Sequence, residues 1–291
     1  GVRSVLRQHS AQNDSWGGLM FALVLGNFYN PPYRTTDRSC HGFHPGSKRG
    51  LDMPALLILL LTIAGWSFTA QAWAFGDLGH RTVGAIADAQ LTPETRAAVR
   101  TLLRSGETLA TVATWPDEVK RAKKNLGPLT HDAEAQRFNE DFPDNREWHY
   151  VDLPLDTAVY TEGAVGSRLN DIVQTIQRCI RVIESQTVSD HEMTRAQALR
   201  WLVHLLGDLH QPLHLGSGYY QFDAQRQAHL ITDPHEAAGK DEDRGGTLLL
   251  TAAEEQLHAF WGDRLVNAVA KGRSYLEVAQ DLLAQGHQEA W

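Results

Sequence analysis

The segment at residues 193–214 constrains the fold most, because it places polar and charged groups inside an apolar helix. The pattern predicts a helix over Met193–Leu209, and Pro212 cannot continue it. His204 and Asp208 are four residues apart and therefore share one helix face. The apolar residues around them are Trp201, Leu202, Leu205, Leu206 and Leu209. Burying an imidazole and a carboxylate without partners is costly, so the segment predicts either a structural His–Asp pair or a metal site.

Apolar residues at helical spacing predict further helices after residue 75. Thr92-Pro93 is typical of a helix start, and that helix is expected to end near Ser105. Other helices are expected over Leu109–Lys124, Val165–Glu184, Ala253–Ala270 and Tyr275–Ala284. In the Val165–Glu184 helix the apolar face comprises Leu169, Ile172, Val173, Ile176, Ile180 and Ile183. Residues 125–163 and 216–246 are expected to be loops. The predicted fold class is all-α, a mostly helical single domain.

The first 74 residues have a different character. Residues 1–52 show no sustained period and are interpreted as an upstream, non-native extension. Residues 55–64 form an apolar run that is shorter than the roughly 20 residues that span a bilayer. Ala72-Trp73-Ala74 has the small residues of a signal-peptidase site. We therefore expect a signal peptide over 53–74, a mature domain over 75–291 that begins with Phe75, and a secreted or periplasmic protein. The alternative interpretation of the apolar run is a buried helix of a cytoplasmic domain.

Charge and cysteine content narrow the class of protein. Six of the 27 basic residues and three of the 35 acidic residues precede Phe75, so the mature domain has a formal charge of −11. Nucleic-acid-binding proteins usually have the opposite sign. Either the substrate is not a polyanion, or bound metal supplies positive charge locally. The two cysteines, Cys40 and Cys179, are too few for a disulfide framework.

Several other segments carry groups that ligate metals or bind phosphate. An imidazole stands five residues after the proposed amino terminus, a carboxylate precedes a cation by one turn, and two more segments join histidine to aromatic and acidic residues. These candidates are His80, Asp117, Lys120, His149, Tyr150, Asp152, His214, His258 and Asp263. Each histidine alone is more often a core or surface residue, but together they favour a metal site.

The order of these segments and the sequence HLLGDLHQPLH at 204–214 resemble the zinc-dependent single-strand nucleases of the S1/P1 type. That family is related to the zinc phospholipases C. The resemblance covers Phe75 to about Asp263. It implies a mostly helical domain of the phospholipase C and P1 nuclease type, with three zinc ions at the bottom of a cleft.

The resemblance also implies a role for each candidate. Three residue sets would hold the zinc ions: Asp117, His149, His204 and Asp208; the backbone amine and carbonyl of Phe75 with His80 and a bridging Asp208; and His214, His258 and a carboxylate, for which Asp263 is the candidate. Asp117 and Lys120 would act in catalysis, Lys120 by stabilising charge on the phosphoryl oxygens. Tyr150 would stack on a base, with plain core packing as its alternative, and Asp152 would bond to the base edge.

The sequence departs from the family pattern at four points. Phe75 stands where the family usually has Trp, and Thr247 stands where it usually has Asn. Gly262 occupies the usual position of the last acidic ligand. On a regular helix Asp263 is rotated roughly 140° from His258, so it reaches the third site only if the helix is distorted there. The sequence stops at Trp291 where closing helices are expected, which suggests truncation.

The expected activity is hydrolysis of single-stranded DNA and RNA to 5′-nucleotides, with 3′-nucleotidase activity. The expected partners are single-stranded nucleic acid or nucleotides, with no stable membrane association after signal cleavage and no protein partner. Three alternatives stay open: a phospholipase C that uses the same zinc core, a zinc-binding protein without turnover, and a structural helical protein. Fold analogy alone does not set the substrate.

Overall fold

The computed structural model describes residues 76–185 and 192–286, which all belong to one compact unit of the chain. Four expectations lie outside the described residues: the extension over 1–52, the signal peptide over 53–74, the role of Phe75 and the truncation at Trp291. In the described ranges no helix is both long and apolar enough to cross a membrane.

The predicted mostly helical fold is confirmed for the described residues. The α-helices are α1 Asp77–Gln90, α2 Pro93–Leu102, α3 Leu109–Val112, α4 Trp115–Ala122, α5 Ala133–Asp141, α6 Ile172–Glu184, α7 Arg195–Asp208, α8 Leu257–Ala259, α9 Val266–Ala270 and α10 Tyr275–Gly286. Short 3-10 turns cover Asn145–His149, Pro212–His214 and Pro234–Glu236, and a π turn covers Phe260–Leu265. The strands are β1 Leu153–Pro154, β2 Gly216–Ser217, β3 Tyr219–Phe222, β4 Ala228–Ile231 and β5 Asp241–Glu242.

Helix α7 is the centre of the fold. Thr194 caps it in a capping box with Gln197, and every residue from Ala198 to Asp208 is buried. Helices α6, α1 and α4 all pack against α7, and α7 is therefore enclosed on all sides. The rings of Trp201, Phe138 and Trp148 pack together beside it. The predicted helix is confirmed. It ends at Asp208, four residues before Pro212.

Helix α6 begins seven residues later than the sequence pattern predicted. Its N-cap is Asp171, whose side chain accepts hydrogen bonds from the amides of Val173 and Gln174. Gly166, with φ +81°, interrupts the helical pattern before this cap. The prediction that Leu169 lies on the buried face is wrong, because 84% of its side chain is exposed. The other five predicted face residues are buried.

The predicted helix over Leu109–Lys124 is two helices, α3 and α4. Pro116 has no N–H to donate to the carbonyl of Val112, so a continuous helix cannot pass through this point. The break leaves the carbonyl of Ala113 available to a side chain, and His204 Nδ1 donates to it at 2.7 Å. The break therefore orients a candidate ligand.

The predicted loop over 216–246 contains strands. β3 pairs antiparallel with β4 from Tyr219↔Ile231 to Phe222↔Ala228, and β5 pairs with the other edge of β3. Aromatic and β-branched residues favour this hairpin, although the segment around them is mostly polar. β2 pairs in parallel with β1, Leu153↔Gly216, which connects this region to the segment after His149.

The predicted helix over Ala253–Ala270 is also interrupted. Residues 253–256 precede α8, and the π turn at Phe260–Leu265 separates α8 from α9. Such a turn contains one extra residue within an otherwise helical segment. The predicted C-terminal helix starts at Tyr275 as expected and extends to Gly286. The region expected to be loop before residue 163 contains α5, capped by Asp132.

Candidate metal centre and nucleotide subsite

The candidate centre is built on the last turn of α7. His204 Nε2 lies 3.1 Å from Asp208 Oδ2, and both side chains are fully buried. The i,i+4 spacing on a regular helix produces this contact. The sequence prediction that the two groups face one point is therefore matched by their placement.

His149 joins this pair from the 3-10 turn of Asn145–His149. Its Nδ1 lies 2.9 Å from Asp208 Oδ2 and 3.0 Å from His204 Nε2. Its backbone carbonyl accepts a hydrogen bond of 2.6 Å from His214 Nδ1, which connects it to the turn after α7. Three side chains from two distant parts of the chain thus converge in a buried space.

Asp117 and Lys120 reach the same space from α4. Asp117 is buried, and its Oδ1 lies 2.5 Å from Lys120 Nζ and 4.0 Å from His204 Nε2. About a quarter of the Lys120 side chain is exposed, so its ammonium lies between the buried carboxylate and solvent. The one-turn spacing predicted from the sequence places the two groups in contact.

His80 on α1 completes the group. Its Nε2 lies 3.3 Å from Asp208 Oδ1, and its ring stacks on that of His204 with centroids 3.8 Å apart. The ring lies directly over Gly207, where an added Cβ would be 2.8 Å from His80 Nδ1. A larger residue at 207 would displace the imidazole, so this glycine is part of the site although no motif predicted its role.

The ligand atoms form two groups with the spacing of a metal site. One comprises His80, Asp117 and His204, the other His149, His204 and Asp208, and within each group the atoms lie within 4.8 Å of one another. All five residues were predicted as ligands from the sequence. Phe75, the proposed backbone ligand of the second ion, lies outside the described residues.

The third predicted ligand set is only partly brought together. The rings of His214 and His258 lie 4.9 Å apart. The helix is distorted at the π turn, as the third-site prediction requires, but among the described residues Asp263 does not form a group of ligand atoms with these two histidines. It accepts a hydrogen bond of 2.7 Å from Asn267 and lies against Gly76, whose added Cβ would contact Asp263 Oδ1. Gly76 also donates to the carbonyl of Gly262 at 3.0 Å. The assignment of Asp263 to the third site stays a prediction.

The residues fit a metal by the orientation of their rings. The Nδ1 atoms of His204, His214 and His258 each hydrogen-bond a backbone carbonyl, those of Ala113, His149 and Gly245 respectively. A carbonyl only accepts, so each Nδ1 carries a proton, and in the neutral ring each Nε2 keeps its lone pair. Among the described residues, the buried Nε2 atoms of His149 and His214 have no hydrogen-bond partner. Buried lone pairs without partners are expected where an ion binds.

The pKa shifts of these side chains favour the protonation states that can bind a metal ion. Burial, together with the nearby Lys120 ammonium, lowers the pKa of His149 to about 3. Burial lowers the pKa of His214 to about 4. For Asp208 burial works in the opposite direction, but the neighbouring imidazoles hold its pKa well below the usual value. Neutral imidazoles beside an ionised carboxylate are the forms that bind a cation.

His204 differs from the other imidazoles. Burial alone would lower its pKa, but the Asp208 carboxylate beside it outweighs burial and raises the pKa. The pKa of Asp117 is lowered although burial opposes this, because Lys120 and the imidazoles stabilise its charge. The carboxylates and the cationic groups of the site therefore stabilise each other's charged forms.

A second cluster adjoins the centre through the Trp148–Asp152 segment. Tyr150 is half-buried, whereas Asp152 is buried and accepts hydrogen bonds from Ser217 Oγ at 2.9 Å and Arg168 Nη2 at 3.0 Å. Arg168 and Ser217 were not predicted as functional. Arg168 lies in a stretch that the sequence pattern assigned to a helix, and no motif signals it.

The fold is mostly helical, and buried histidines and aspartates converge in it at the spacing of a metal site. These two features define the class as metal-binding helical proteins. Residues 75–290 match the family described as S1/P1 Nuclease. The chain belongs to the S1/P1 nuclease family.

Curated relatives agree with this assignment. Endonuclease 3 of Arabidopsis thaliana is 35% identical over 171 residues, which are 57% of this chain and 51% of the relative. Nuclease S1 of Aspergillus oryzae is 28% identical over 56% of this chain and 50% of its own, and Nuclease P1 of Penicillium citrinum is 32% identical over 48% and 47%. The chain spans about half the length of these relatives.

Proposed function

We propose that this protein is a zinc-dependent phosphodiesterase that hydrolyses single-stranded DNA and RNA to 5′-nucleotides, with 3′-nucleotidase activity. The observation that carries the proposal is the convergence of His149, His204 and Asp208 in a buried space. Membership of a nuclease family supports the choice of substrate class.

Three sets of residues would hold zinc. The first is Asp117, His149, His204 and Asp208; the second is Phe75, His80 and Asp208; the third is His214, His258 and Asp263. Imidazole nitrogen and carboxylate oxygen are preferred zinc ligands. When bound, zinc supplies Lewis-acid polarisation of phosphoryl oxygens and lowers the pKa of water toward neutrality.

The protein residues around the centre orient the ligands and bind phosphate. The carbonyls of Ala113, His149 and Gly245 fix three imidazoles in one tautomer, so no rotation is needed when the ligands bind. Lys120, next to Asp117 and partly exposed, presents positive charge to solvent and would stabilise an approaching phosphoryl group. Asp117 would act with it in catalysis, as a ligand whose charge Lys120 balances.

Selection for single strands would arise at the cluster after His149. The half-buried ring of Tyr150 lies one residue from a ligand, so a base stacked on it would place its phosphodiester near the centre. Only an unpaired base exposes its face for such stacking. A duplex would have to be opened first.

We also propose that the protein is secreted or periplasmic and that residues 53–74 act as a signal peptide. Removal of the signal peptide would expose the α-amine of Phe75, which has a pKa near 8 and can lose its proton to a metal near neutral pH. Amino-terminal sequencing of the exported protein tests this directly.

The activity is tested by comparing substrates on zinc-loaded protein. Equal masses of single-stranded and double-stranded DNA, and vesicles of phosphatidylcholine, are incubated with wild type and with His204→Ala. We expect wild type to release nucleotides from the single strand and the variant to lose at least about 100-fold in rate. Hydrolysis of the lipid alone would support the phospholipase alternative. Bound zinc without turnover of any substrate would reject the enzyme proposal.

A further inference from the structure

Arg168 lies beside Tyr150 and Asp152 at a position that none of the sequence motifs includes. Its Nη2 donates to Asp152 Oδ2 at 3.0 Å, and its Cζ lies 5.3 Å from the centroid of the Tyr150 ring. About 35% of the Arg168 side chain is exposed, against 4% for Asp152. The guanidinium is therefore the charged group that this cluster presents to solvent.

The carboxylate of Asp152 is already engaged by the protein. Ser217 Oγ donates to Oδ1 at 2.9 Å, and Arg168 occupies Oδ2. The hydroxyl of Ser217 is itself fixed, because it accepts a hydrogen bond of 2.8 Å from the amide of Gly245. Buried and bonded at both oxygens, this carboxylate is placed as an anchor for Arg168.

The backbone holds Arg168 in place from both sides. Gly166 packs so closely on Asp152 that an added Cβ would overlap the Asp152 carbonyl, and the amide of Asp152 donates to the Gly166 carbonyl at 3.3 Å. On the other side, the amide of Arg168 donates to Asp171 Oδ2 at 3.0 Å, while Asp171 caps α6. The loop is thus fixed between β1 and α6, which gives the guanidinium a defined position.

We propose that Arg168 contacts the nucleobase stacked on Tyr150, that Asp152 is a positioning residue for Arg168, and that the subsite prefers guanine. This inference rests on the proposed nuclease function. Arginine presents donors in a fixed fork, and guanine offers two adjacent acceptors, O6 and N7, that match it. Adenine has the same stacking area but presents a donor beside N7, so it cannot accept the same pair of bonds.

The test compares two substrates that differ only in the purine edge, guanosine and adenosine 3′-monophosphate. Values of kcat and KM are measured with zinc-loaded wild type and with Arg168→Ala, Arg168→Lys, Asp152→Asn and the control Arg137→Ala. Arg137 is a suitable control because its side chain is 81% exposed and pairs with Asp141 on its own helix, α5. Zinc content and the unfolding midpoint are recorded for every variant.

Wild type is expected to have a kcat/KM for the guanine substrate about 10-fold or more above that for adenine, mainly through KM. Arg168→Ala and Arg168→Lys should abolish this preference, the latter because lysine keeps the charge but not the fork. Asp152→Asn should retain it, since the amide oxygen still accepts from Arg168. Arg137→Ala should retain it as well.

Three results would overturn the inference: no guanine preference in wild type, a preference that survives in both Arg168 variants, or an equal loss for both purines, which would point to a phosphate contact. A preference lost in Asp152→Asn but kept in Arg168→Lys would assign base recognition to the carboxylate instead. Hydrolysis of bis(p-nitrophenyl) phosphate by wild type, a substrate without a base, separates failure of the inference from failure of the proposed function.

Discussion

At the scale of single residues, the arrangement of the centre depends on groups that orient ligands rather than on the ligands alone. Spacing in the sequence predicted that His204 and Asp208 share a face, because a helix imposes that geometry on residues four apart. It did not predict that His80 stacks on His204, since this contact joins α1 to α7 across the core. Gly207 permits the stacking by lacking a side chain.

Gly207→Ala should affect helix propensity and metal binding in opposite directions. Alanine favours a helix interior over glycine by about 1 kcal/mol, but its Cβ would approach within 2.8 Å of His80 Nδ1. Overpacking of this kind costs about 1–3 kcal/mol, so the ring should move. We expect zinc affinity to fall on the order of 10–100-fold, measured by competition with a chelating dye. Unchanged affinity would mean that His80 does not hold a metal.

The buried imidazoles predict an acid-sensitive metal-free protein. Burial lowers the pKa of His149 to about 3 and that of His214 to about 4, from 6.5 in the unfolded chain. Between these values the unfolded chain binds protons that the folded chain does not, so the free energy of unfolding falls as pH falls below about 6.5. His204, whose pKa is raised, contributes stability that is fully present below pH 6.5 and is lost only as pH rises through its raised pKa, so it leaves this trend unchanged.

Urea unfolding of the metal-free protein at pH values from 7 to 4 measures this slope. His149→Gln should reduce the slope, because one buried imidazole that binds a proton on unfolding is removed. A free energy of unfolding that stays constant or rises toward pH 4 would contradict the assigned protonation states.

At the scale of elements, the sequence predicted which segments are helical better than where they begin and end. The long apolar faces of α6 and α7 were recognised because tertiary packing and helical period agree there. The break between α3 and α4 was missed, although Pro116, which lacks an N–H, signals it in the same way as Pro93 signals the start of α2. The hairpin of β3 and β4 was missed because its few aromatic and β-branched residues stand in a segment that is otherwise mostly polar. Arg168 could not be predicted, since its role depends on the loop before α6.

Two glycines in that loop provide a matched pair of substitutions. Gly163 and Gly166 both have φ +81°, but an added Cβ at 163 meets no atom within 4 Å, whereas at 166 it overlaps the Asp152 carbonyl. Gly163→Ala should cost about 1–2 kcal/mol from backbone strain alone. Gly166→Ala should cost more and should also raise KM for nucleotides. Equal unfolding free energies and equal KM values for the two variants would show that the loop does not position the subsite.

At the scale of the whole molecule, the metal centre explains how a protein with a negative net charge would bind a polyanionic substrate. The full chain has a formal charge of −8, and the predicted mature part is more negative still. Three zinc ions would add about six positive charges at one centre, so a polyanionic substrate would meet a locally positive region in an otherwise acidic protein. Family membership and the two ligand groups both support this account.

The most direct test of the central claim is the number of zinc ions bound per chain, measured by native mass spectrometry on protein purified without chelators. The account predicts about three ions for wild type and the loss of at least one in His204→Ala, whose imidazole belongs to both ligand groups. The surface variant His229→Ala, whose side chain is 61% exposed on β4 and pairs with Asp223, should bind as many ions as wild type. A folded wild-type chain without zinc would contradict the account.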